Sequence, residues 1–260
     1  MMRALSTAAT GLEAQQTKIA NIANDLANVN TDGYKRTSTE FHDLMYETIK
    51  EPGGSLGVGT QTPVGVQVGM GVKVGASHKN FETGPAKMTY HPYDFMIEGP
   101  GFFPVTTPQG EVAYTRAGNF HVDSQGIVQL SSGAKLSPQI TIPANALNLL
   151  VSHSGEVKAT IPGSGETVLG QIQLVNFQND QGLQAMGDSL YKSSLASGPP
   201  IQGIPGENGM GLLQQGALEA SNVNVANSMV DMISTQRAYE MGAKVMGVAD
   251  QMLGATVNIK

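Results

Sequence analysis

Apolar residues recur at alternating steps of three and four positions near the start of the chain, and only Gln15 breaks the row. This heptad spacing is typical of a helix that buries a narrow seam against other helices. The predicted helix is about 38 Å long at ~1.5 Å per residue, and a lone helix with so thin an apolar stripe is marginal in water. The predicted seam comprises Leu5, Ala8, Leu12, Gln15, Ile19, Ile22, Leu26 and Val29.

A second heptad seam lies at the opposite end of the chain, after residues 221–224, whose Ser and Asn side chains can cap a helix. We predict that the two terminal helices pack together as a coiled-coil domain, with the rest of the chain inserted between them. The second seam comprises Val225, Met229, Met232, Gln236, Tyr239, Ala243, Met246, Asp250 and Leu253.

Both predicted helices carry few of the charges that usually set partner choice beside a coiled-coil seam. Their neutral flanks favour helices that are surrounded on several sides, so the sequence favours burial in a multi-chain assembly. The alternative is an intramolecular two-helix bundle packed on the β domain. Gln15 is a candidate for setting the register or for facing a polar group of a neighbouring chain.

The sequence between the predicted helices changes from Gly- and Pro-rich segments to a series of short strands. Residues 34–49 fit either a short helix or an extended arm, and residues 52–63 fit an exposed loop or arm. From about 81 to 191, short apolar runs separated by turn residues predict an antiparallel β domain. Predicted hairpins join 102–106 to 112–116, 120–122 to 127–130 and 149–151 to 157–161, and a longer strand is predicted over 168–177.

These elements together predict an α+β fold. The terminal helical domain covers residues 1–33 and 221–260, and a connecting segment with the extended arm covers residues 34–68. The β-rich domain is predicted over residues 69–220.

Composition excludes several classes of protein. With 14% charged residues, a net charge of −6 and no basic run beyond Lys35 and Arg36, the chain lacks the footprint of a nucleic-acid binder. The absence of Cys excludes disulfides and thiolate sites. No apolar run reaches the ~18 residues of a membrane span, and polar residues interrupt the N-terminal pattern where a secretory signal would be apolar. We therefore expect no membrane insertion, and either a cytoplasmic protein or export without a cleaved secretory signal.

The residue pattern predicts no catalytic, metal-binding or cofactor-binding site. The five His residues show none of the spacings that place two ligands on one helix face. The glycines Gly69, Gly71 and Gly75 miss the spacing of a dinucleotide fingerprint. An enzyme is therefore the function class that the sequence favours least.

Three sets of motifs resemble those of bacterial flagellar rod and hook proteins. The resemblance covers essentially the whole chain, and the motifs stand in the order found in that family. The N-terminal set occupies residues 6–15 and 22–36, the middle set 101–103, 114–120 and 140–144, and the C-terminal set 221–225, 232–233, 236–240 and 249–253.

The chain departs from the family pattern at a few positions. Asp25 stands where family members usually carry Asn, and Gly242 stands where a helix former or Asn is common. A Gly inside a helix costs roughly 1 kcal/mol relative to Ala. Pro100 and Pro104 flank the strand at Phe102, which we therefore expect at the edge of a sheet.

The resemblance implies a structural subunit of the flagellar basal body, most similar to the members that form the distal rod. It implies a helical homopolymer, the axial drive shaft that transmits motor torque to the hook, with the terminal helices as the inner tube and the β domain outside. The implied partners are further copies of the chain, proximal rod proteins and hook protein at the two ends, the surrounding peptidoglycan-level and outer-membrane ring proteins, and the flagellar type III export apparatus. The implied location is the basal body, spanning the periplasm, with no cofactor and no nucleic acid.

The resemblance also implies a role for the Gly- and Pro-rich arm, which looks longer than that of hook proteins. Such an arm is thought to bridge neighbouring subunits and keep the shaft straight and stiff. The residues implied in the arm are Glu47, Pro52, Gly53, Gly54, Gly57, Gly59 and Pro63.

Two alternatives stay open. Within the family, the chain fits a proximal rod protein or a hook-type axial protein. In a different class, it fits a soluble β-rich binding protein with a helical stalk, which a discrete trimer at all concentrations would favour.

Overall fold

The computed structural model describes residues 2–51, 64–162 and 165–257. The chain divides into two compact units that we describe separately. The first unit comprises Met1–Leu26, Thr37–His78 and Val225–Lys260, and the second comprises Ala27–Arg36 and Lys79–Asn224.

The first unit contains both long helices, α1 (Met2–Ala27) and α2 (Val225–Val257). Helix α1 ends just before the Asn- and Gly-containing turn, and α2 begins directly after the predicted capping residues, so both predicted helices are confirmed. Neither described helix combines the length and the apolar character that a membrane-spanning helix needs.

Four strands form a narrow ribbon in the first unit. They are β1 (Thr37–Asp43), β2 (Tyr46–Lys50), β3 (Val66–Gly69) and β4 (Val72–Lys79). Strand β1 pairs with β4, and β2 pairs with β3 in an antiparallel register. Residues that fitted either a helix or an arm are therefore strands, and the predicted arm residues 52–63 lie outside the described part of the chain.

Polar side chains of α1 hold the ribbon alongside the helix. Both carboxylate oxygens of Asp25 accept from the Thr37 N–H at 3.1 Å, and Asp25 is only 3% exposed. One turn earlier, the Asn21 amide donates to Thr39 Oγ1 at 2.7 Å. Asp25 therefore ties the first residue of β1 to the last turns of α1.

The second unit is built from sixteen further strands and one 3₁₀ turn (Asp180–Gly182) among its described residues. Its strands are β5 (Ala86–Met88), β6 (Phe95–Glu98), β7 (Phe103–Thr106), β8 (Val112–Thr115), β9 (Phe120–Val122), β10 (Val128–Leu130), β11 (Lys135–Leu136), β12 (Asn148–Val151), β13 (Glu156–Ile161), β14 (Gly165–Gln171), β15 (Leu174–Asn176), β16 (Gln184–Gly187), β17 (Leu190–Lys192), β18 (Ile201–Gly203), β19 (Leu212–Gln215) and β20 (Ala217–Glu219).

A seven-stranded sheet in the order β16-β17-β8-β7-β11-β10-β9 is the largest of this unit. A three-stranded sheet, β12-β13-β14, and the pairs β15-β18, β19-β6 and β20-β5 complete the described pairing. The α+β fold class is thereby confirmed, and the three predicted hairpins correspond to β7-β8, β9-β10 and β12-β13.

The predicted single strand over 168–177 is wrong. Strand β14 ends at Gln171, and the next residue, Ile172, is buried and donates its N–H to the Gly155 carbonyl at 2.8 Å. The chain then joins a different partner, because β15 pairs with β18. Apolar residues alternate with polar ones from β14 into β15, so the sequence pattern does not reveal that the chain moves from one sheet to another.

The expected edge position of the strand after Pro100 is also wrong, because β7 lies between β8 and β11. Pro104 is accommodated since β11 is only two residues long and ends at Leu136. Just beyond that end, Ser137 N–H donates to the Pro104 carbonyl at 2.9 Å. The missing Pro N–H therefore falls where the neighbouring strand has already ended.

The second unit contains two hydrophobic clusters, and two adjacent aromatic residues belong one to each cluster. Phe103 belongs to the larger cluster between the sheets, whereas Phe102 belongs to an aromatic cluster with Tyr114, Phe177 and Tyr191. Successive residues of an extended chain point to opposite sides. This short segment therefore contributes to both cores at once.

The two units divide at different positions from the predicted domains. The second unit consists of 27–36 and a main segment that begins at Lys79, whereas the β-rich domain was predicted to begin at residue 69. The difference arises because β4 pairs with β1 of the ribbon and not with the sheets of the second unit. The predicted roles of these domains in an assembly stay predictions.

Replacing Asp25 by Ala should release β1 from α1. The substitution removes two bonds to a charged acceptor, and such bonds contribute about 1.5–3 kcal/mol. We expect the Thr37 amide to exchange with solvent at least ~10-fold faster, measured by hydrogen exchange of the full chain. Asp25→Asn keeps one acceptor oxygen and should change the rate far less; equal rates in the wild type and Asp25→Ala would contradict this role.

Candidate functional site

The predicted seam as far as Leu26 forms the partly covered side of α1, and Val29 lies in the turn that follows the helix. All of its described members are half-buried in the single chain, and none is fully buried. The most buried face of α1 is instead the one that contacts the ribbon. Ala14 and Asp25, the buried residues of the helix, lie on this face. The members of the half-buried seam are Leu5, Ala8, Leu12, Gln15, Ile19, Ile22, Leu26 and Val29.

Small residues form the face of α2 that its own chain covers. Thr235 and Ser228 are buried, and Ala238 and Gly242 are half-buried. At Gly242 the two helices approach each other so closely that a Cβ atom would lie 2.8 Å from Leu12 Cδ2. The Gly that is unfavourable inside an isolated helix therefore lies where the Leu12 side chain of α1 packs against α2.

Most of the predicted α2 seam does not face the rest of the chain. Only three of its apolar members are half-buried, and the face that is covered is shifted toward the small residues at 235, 238 and 242. The predicted seam of α2 therefore contacts α1 only in part. The heptad pattern selects large apolar residues, whereas two helices that pack closely need small residues between them. The half-buried members are Met232, Met246 and Leu253, and the exposed members are Val225, Met229, Gln236, Tyr239, Ala243 and Asp250.

The sequence pattern missed a second row of apolar residues on α2. Its large side chains are between 52% and 66% exposed, and they recur at helical spacing on a further side of the helix. A helix that is apolar all round is normally buried all round. A single heptad seam does not include these residues, whereas the full helical spacing of α2 places them on another face. The row comprises Val230, Met241, Val245, Val248 and Met252, and we call it the outer stripe.

A groove of about 720 Å³ lies between α1, β3 and α2. Small and apolar side chains line most of it, and Gln15, the polar member of the first seam, is among them. At its rim, Arg3 forms an ion pair with Glu47 at 2.8 Å, which ties β2 to the first turn of α1.

Three buried charges meet in the second unit. Glu219, the last residue of β20, accepts from Lys35 Nζ at 2.5 Å and from the Gly84 N–H at 2.8 Å. Its other carboxylate oxygen lies 3.4 Å from Arg116 Nη1. Lys35, Arg116 and Glu219 are each no more than 3% exposed, so the two cations depend on a single carboxylate.

Burial lowers the pKa of both cations in this ion cluster. The pKa of Lys35 lies below its usual value because burial disfavours the ammonium, an effect that the Glu219 carboxylate opposes. The pKa of Arg116 is lowered for the same reason and opposed by the same group. Burial also raises the pKa of Tyr191 to about 12, which keeps its phenol neutral near Arg116.

Hydrogen bonds around the ion cluster join the two ends of the second unit. The Gly33 N–H donates to the Glu219 carbonyl at 2.7 Å, and the Arg36 N–H donates to Asn222 Oδ1 at 2.7 Å. Gly33 adopts a φ of +71°, and a Cβ atom there would lie 2.6 Å from the Ala117 N. The segments that lead out of the unit toward α1 and α2 are therefore fixed side by side.

The described residues contain no group of three or more His, Asp or Glu side chains that could hold a metal ion. Glu219 pairs with both Lys35 and Arg116, whereas Arg116 Nε is buried without a hydrogen-bond partner. The features that stand out among the described residues are the exposed apolar side chains of α2 and the buried ion cluster.

Comparison with known proteins matches three parts of the chain to family models. A model described as "Flagella basal body rod protein" matches residues 5–35. "Flagellar hook protein FlgE/F/G D1 domain" matches 96–159, and "Flagellar basal body rod FlgEFG protein C-terminal" matches 214–259. Each matched segment contributes one residue of the ion cluster: Lys35, Arg116 and Glu219.

Several relatives are similar to this chain over most of its length. The rod protein FlgG of Caulobacter vibrioides is 46% identical, with 100% of both chains covered. FlgG of Buchnera aphidicola from Schizaphis graminum is 44% identical over 97% of this chain and 98% of its own. The hook protein FlgE of Salmonella typhimurium is 32% identical over 64% of this chain and 41% of its own length.

The terminal helices, the inserted β-rich unit and these matches define a structural protein of the flagellar axis and not an enzyme. Its similarity to rod proteins extends from one end of the chain to the other. The chain belongs to the flagellar basal-body rod protein family.

Gly242→Ala should lack the stabilising effect that the same substitution has at Gly247. No atom lies within 4 Å of a Cβ built at Gly247, so Gly247→Ala should stabilise α2 by about 1 kcal/mol. At Gly242 the added methyl displaces Leu12 and should cancel that gain, and Gly242→Val should destabilise the helix pair. Thermal melts followed by helical circular dichroism measure the difference; equal effects at the two positions would contradict the close approach.

Glu219→Gln should destabilise the second unit strongly. The substitution leaves Lys35 and Arg116 buried without a counter-charge, which costs about 3–5 kcal/mol. Urea unfolding of the full chain measures this loss. The matched control is Glu111→Gln, which breaks a half-exposed pair with Lys192 at 2.9 Å and should cost less than about 1 kcal/mol. Similar losses in both variants would show that the cluster contributes no more than a surface pair.

Proposed function

We propose that this chain forms the distal part of the flagellar rod, the axial drive shaft that transmits motor torque to the hook. The observation that carries the proposal is α2, whose large apolar side chains are exposed along two rows. Full-length similarity to rod proteins, against partial similarity to a hook protein, favours the rod over the hook. A proximal rod protein of the same family is the alternative.

Burial of the exposed apolar rows supplies the energy for assembly in this proposal. Each large side chain that becomes buried contributes roughly 1.5–3 kcal/mol. Contacts between different patches on successive copies repeat without closing, and such contacts give a helical polymer. The terminal helices then form the inner tube, and the β-rich unit lies outside it.

The arm bridges neighbouring subunits in this proposal. Support comes from the strands that lead into it, because every residue of β2 and β3 is exposed in the single chain. An isolated two-stranded hairpin is marginal in water. Exposed apolar residues such as Met45 and Ile49 would gain cover from an adjacent subunit.

The remaining partners follow from the proposed place in the shaft. Proximal rod proteins and hook protein contact its two ends, and ring proteins at the peptidoglycan and outer membrane surround it. The subunits cross the inner membrane through the flagellar type III apparatus and assemble in the periplasm.

Introducing a carboxylate into a helix seam should abolish the rod. Met229 is 52% exposed in the single chain, so Met229→Asp leaves the monomer folded but places a charge in the assembled contact. Leu26→Asp should act in the same way at the end of α1. We expect non-motile cells without rods in isolated basal bodies, with the β-rich unit still folded by near-ultraviolet circular dichroism.

The matched control for this prediction is Val168→Asp, an equally exposed position on β14 of the β-rich unit. It should leave rods intact. Normal motility in the Met229→Asp strain would refute assembly through the terminal helices.

A further inference from the structure

The first strands in the main segment of the second unit have their partners at its end. Strand β6 pairs with β19, where Ile97 lies opposite Leu213, and β5 pairs with β20, where Lys87 lies opposite Leu218. These paired residues stand at opposite ends of the segment Lys79–Asn224. The three confirmed hairpins, by contrast, join strands that are neighbours in the chain. The last strands of the unit therefore complete a pairing that its first strands leave open.

Residues 210–222 join parts of the second unit that are otherwise separate, and we call them the closing segment. The Gln215 side chain donates to the Leu149 carbonyl at 3.0 Å and accepts from the Val151 N–H at 2.9 Å, so β19 also holds strand β12 of the three-stranded sheet. Glu219 supplies the carboxylate that both buried cations of the ion cluster need. The closing segment thus contacts β5, β6, the three-stranded sheet and the ion cluster.

Without the closing segment, the rest of the unit could not bury groups that the complete unit buries. Phe95 and Ile97 belong to the larger hydrophobic cluster, and the strand that pairs with their own strand β6 in the described part of the chain is β19. Lys35 and Arg116 would lack their counter-charge, and a buried charge without a partner is strongly unfavourable. Two-stranded hairpins alone are marginal in water. An incomplete unit is therefore poorly stabilised.

We propose that the closing segment belongs to the folding nucleus of the second unit, so that a growing chain stays unfolded until residues 210–222 are present. Synthesis delivers the N-terminal part of a chain first. Contacts between distant segments form slowly, because the long loop between them must close before they stabilise anything. The fold therefore contains its own delay. This inference concerns folding, and it goes beyond the proposed function without depending on it.

In the competing order of events, the local hairpins assemble first and the closing segment docks last. Both orders lead to the same native structure, but they differ in the contacts that the transition state already contains. Truncating a residue of the nucleus slows folding, whereas truncating a residue that packs later mainly speeds unfolding. Folding and unfolding rates of the full chain therefore distinguish the two orders.

Leu213→Ala tests the nucleus directly, since Leu213 is buried in the closing segment. We expect it to slow refolding of the full chain about 10-fold and to change the unfolding rate much less. The matched control is Leu136→Ala, a buried position of the same hydrophobic cluster on the local hairpin β10-β11, which should slow refolding less. Stopped-flow tyrosine fluorescence after dilution from urea follows the second unit, because Tyr114 and Tyr191 are buried there.

Two results of this experiment would overturn the proposal. An unchanged refolding rate in Leu213→Ala, with faster unfolding, would show that the closing segment docks after the transition state. A smaller effect on refolding in Leu213→Ala than in Leu136→Ala would show that the local hairpins form first.

Pulse-labelling hydrogen exchange of the refolding wild-type chain gives a readout that needs no variant to fold. The Gly33 and Gly84 amides report on the closing segment, because they donate to the main-chain carbonyl and the carboxylate of Glu219. We expect them to become protected in the same kinetic phase as the amides of 103–136 in the seven-stranded sheet. Protection of that sheet in an earlier phase, with Gly33 and Gly84 following, would contradict a nucleus that contains the closing segment.

Discussion

The second unit depends on one carboxylate placed between two buried cations. Glu219 joins residues that stand far apart in sequence, because Lys35 lies in the first segment of this unit, Arg116 in its middle and Glu219 near its end. The attraction within the cluster offsets the desolvation of its charges only when all three are present with good geometry. The unit can therefore close only when its first, middle and last segments come together.

This closure determines where the chain leaves the unit on both sides. The bonds from Gly33 and Arg36 to the segment around Glu219 and Asn222 place the two exits next to each other. Helix α2, which begins at one of these exits, carries large apolar side chains that its own chain does not cover. The two connections to the helices are fixed side by side, and α2 exposes large apolar side chains. Both features suit a subunit that is surrounded by other subunits.

The sequence predicted the elements better than it predicted their partners. Heptad spacing located both helices, and turn residues located three hairpins, since these signals are local. The partners depend on contacts distant in sequence: Pro104 fits an interior strand because β11 ends early, and Gly242 marks a close approach to Leu12. The ion cluster was missed for the same reason, although Lys35 and Arg116 lie within the recognised motifs. The outer stripe was not predicted because its residues lie on a different face of α2 from the heptad seam.

Methionine oxidation tests most directly whether α2 is covered by other subunits in the rod. Met229, Met241 and Met252 are exposed in the single chain, as are Met88 and Met186 of the β-rich unit, which report on access of the oxidant. Peroxide should oxidise all five in the monomer. In isolated rods, mass spectrometry should find the three α2 methionines protected far more than the other two. Equal oxidation of the α2 methionines in monomer and rod would contradict assembly through the terminal helices.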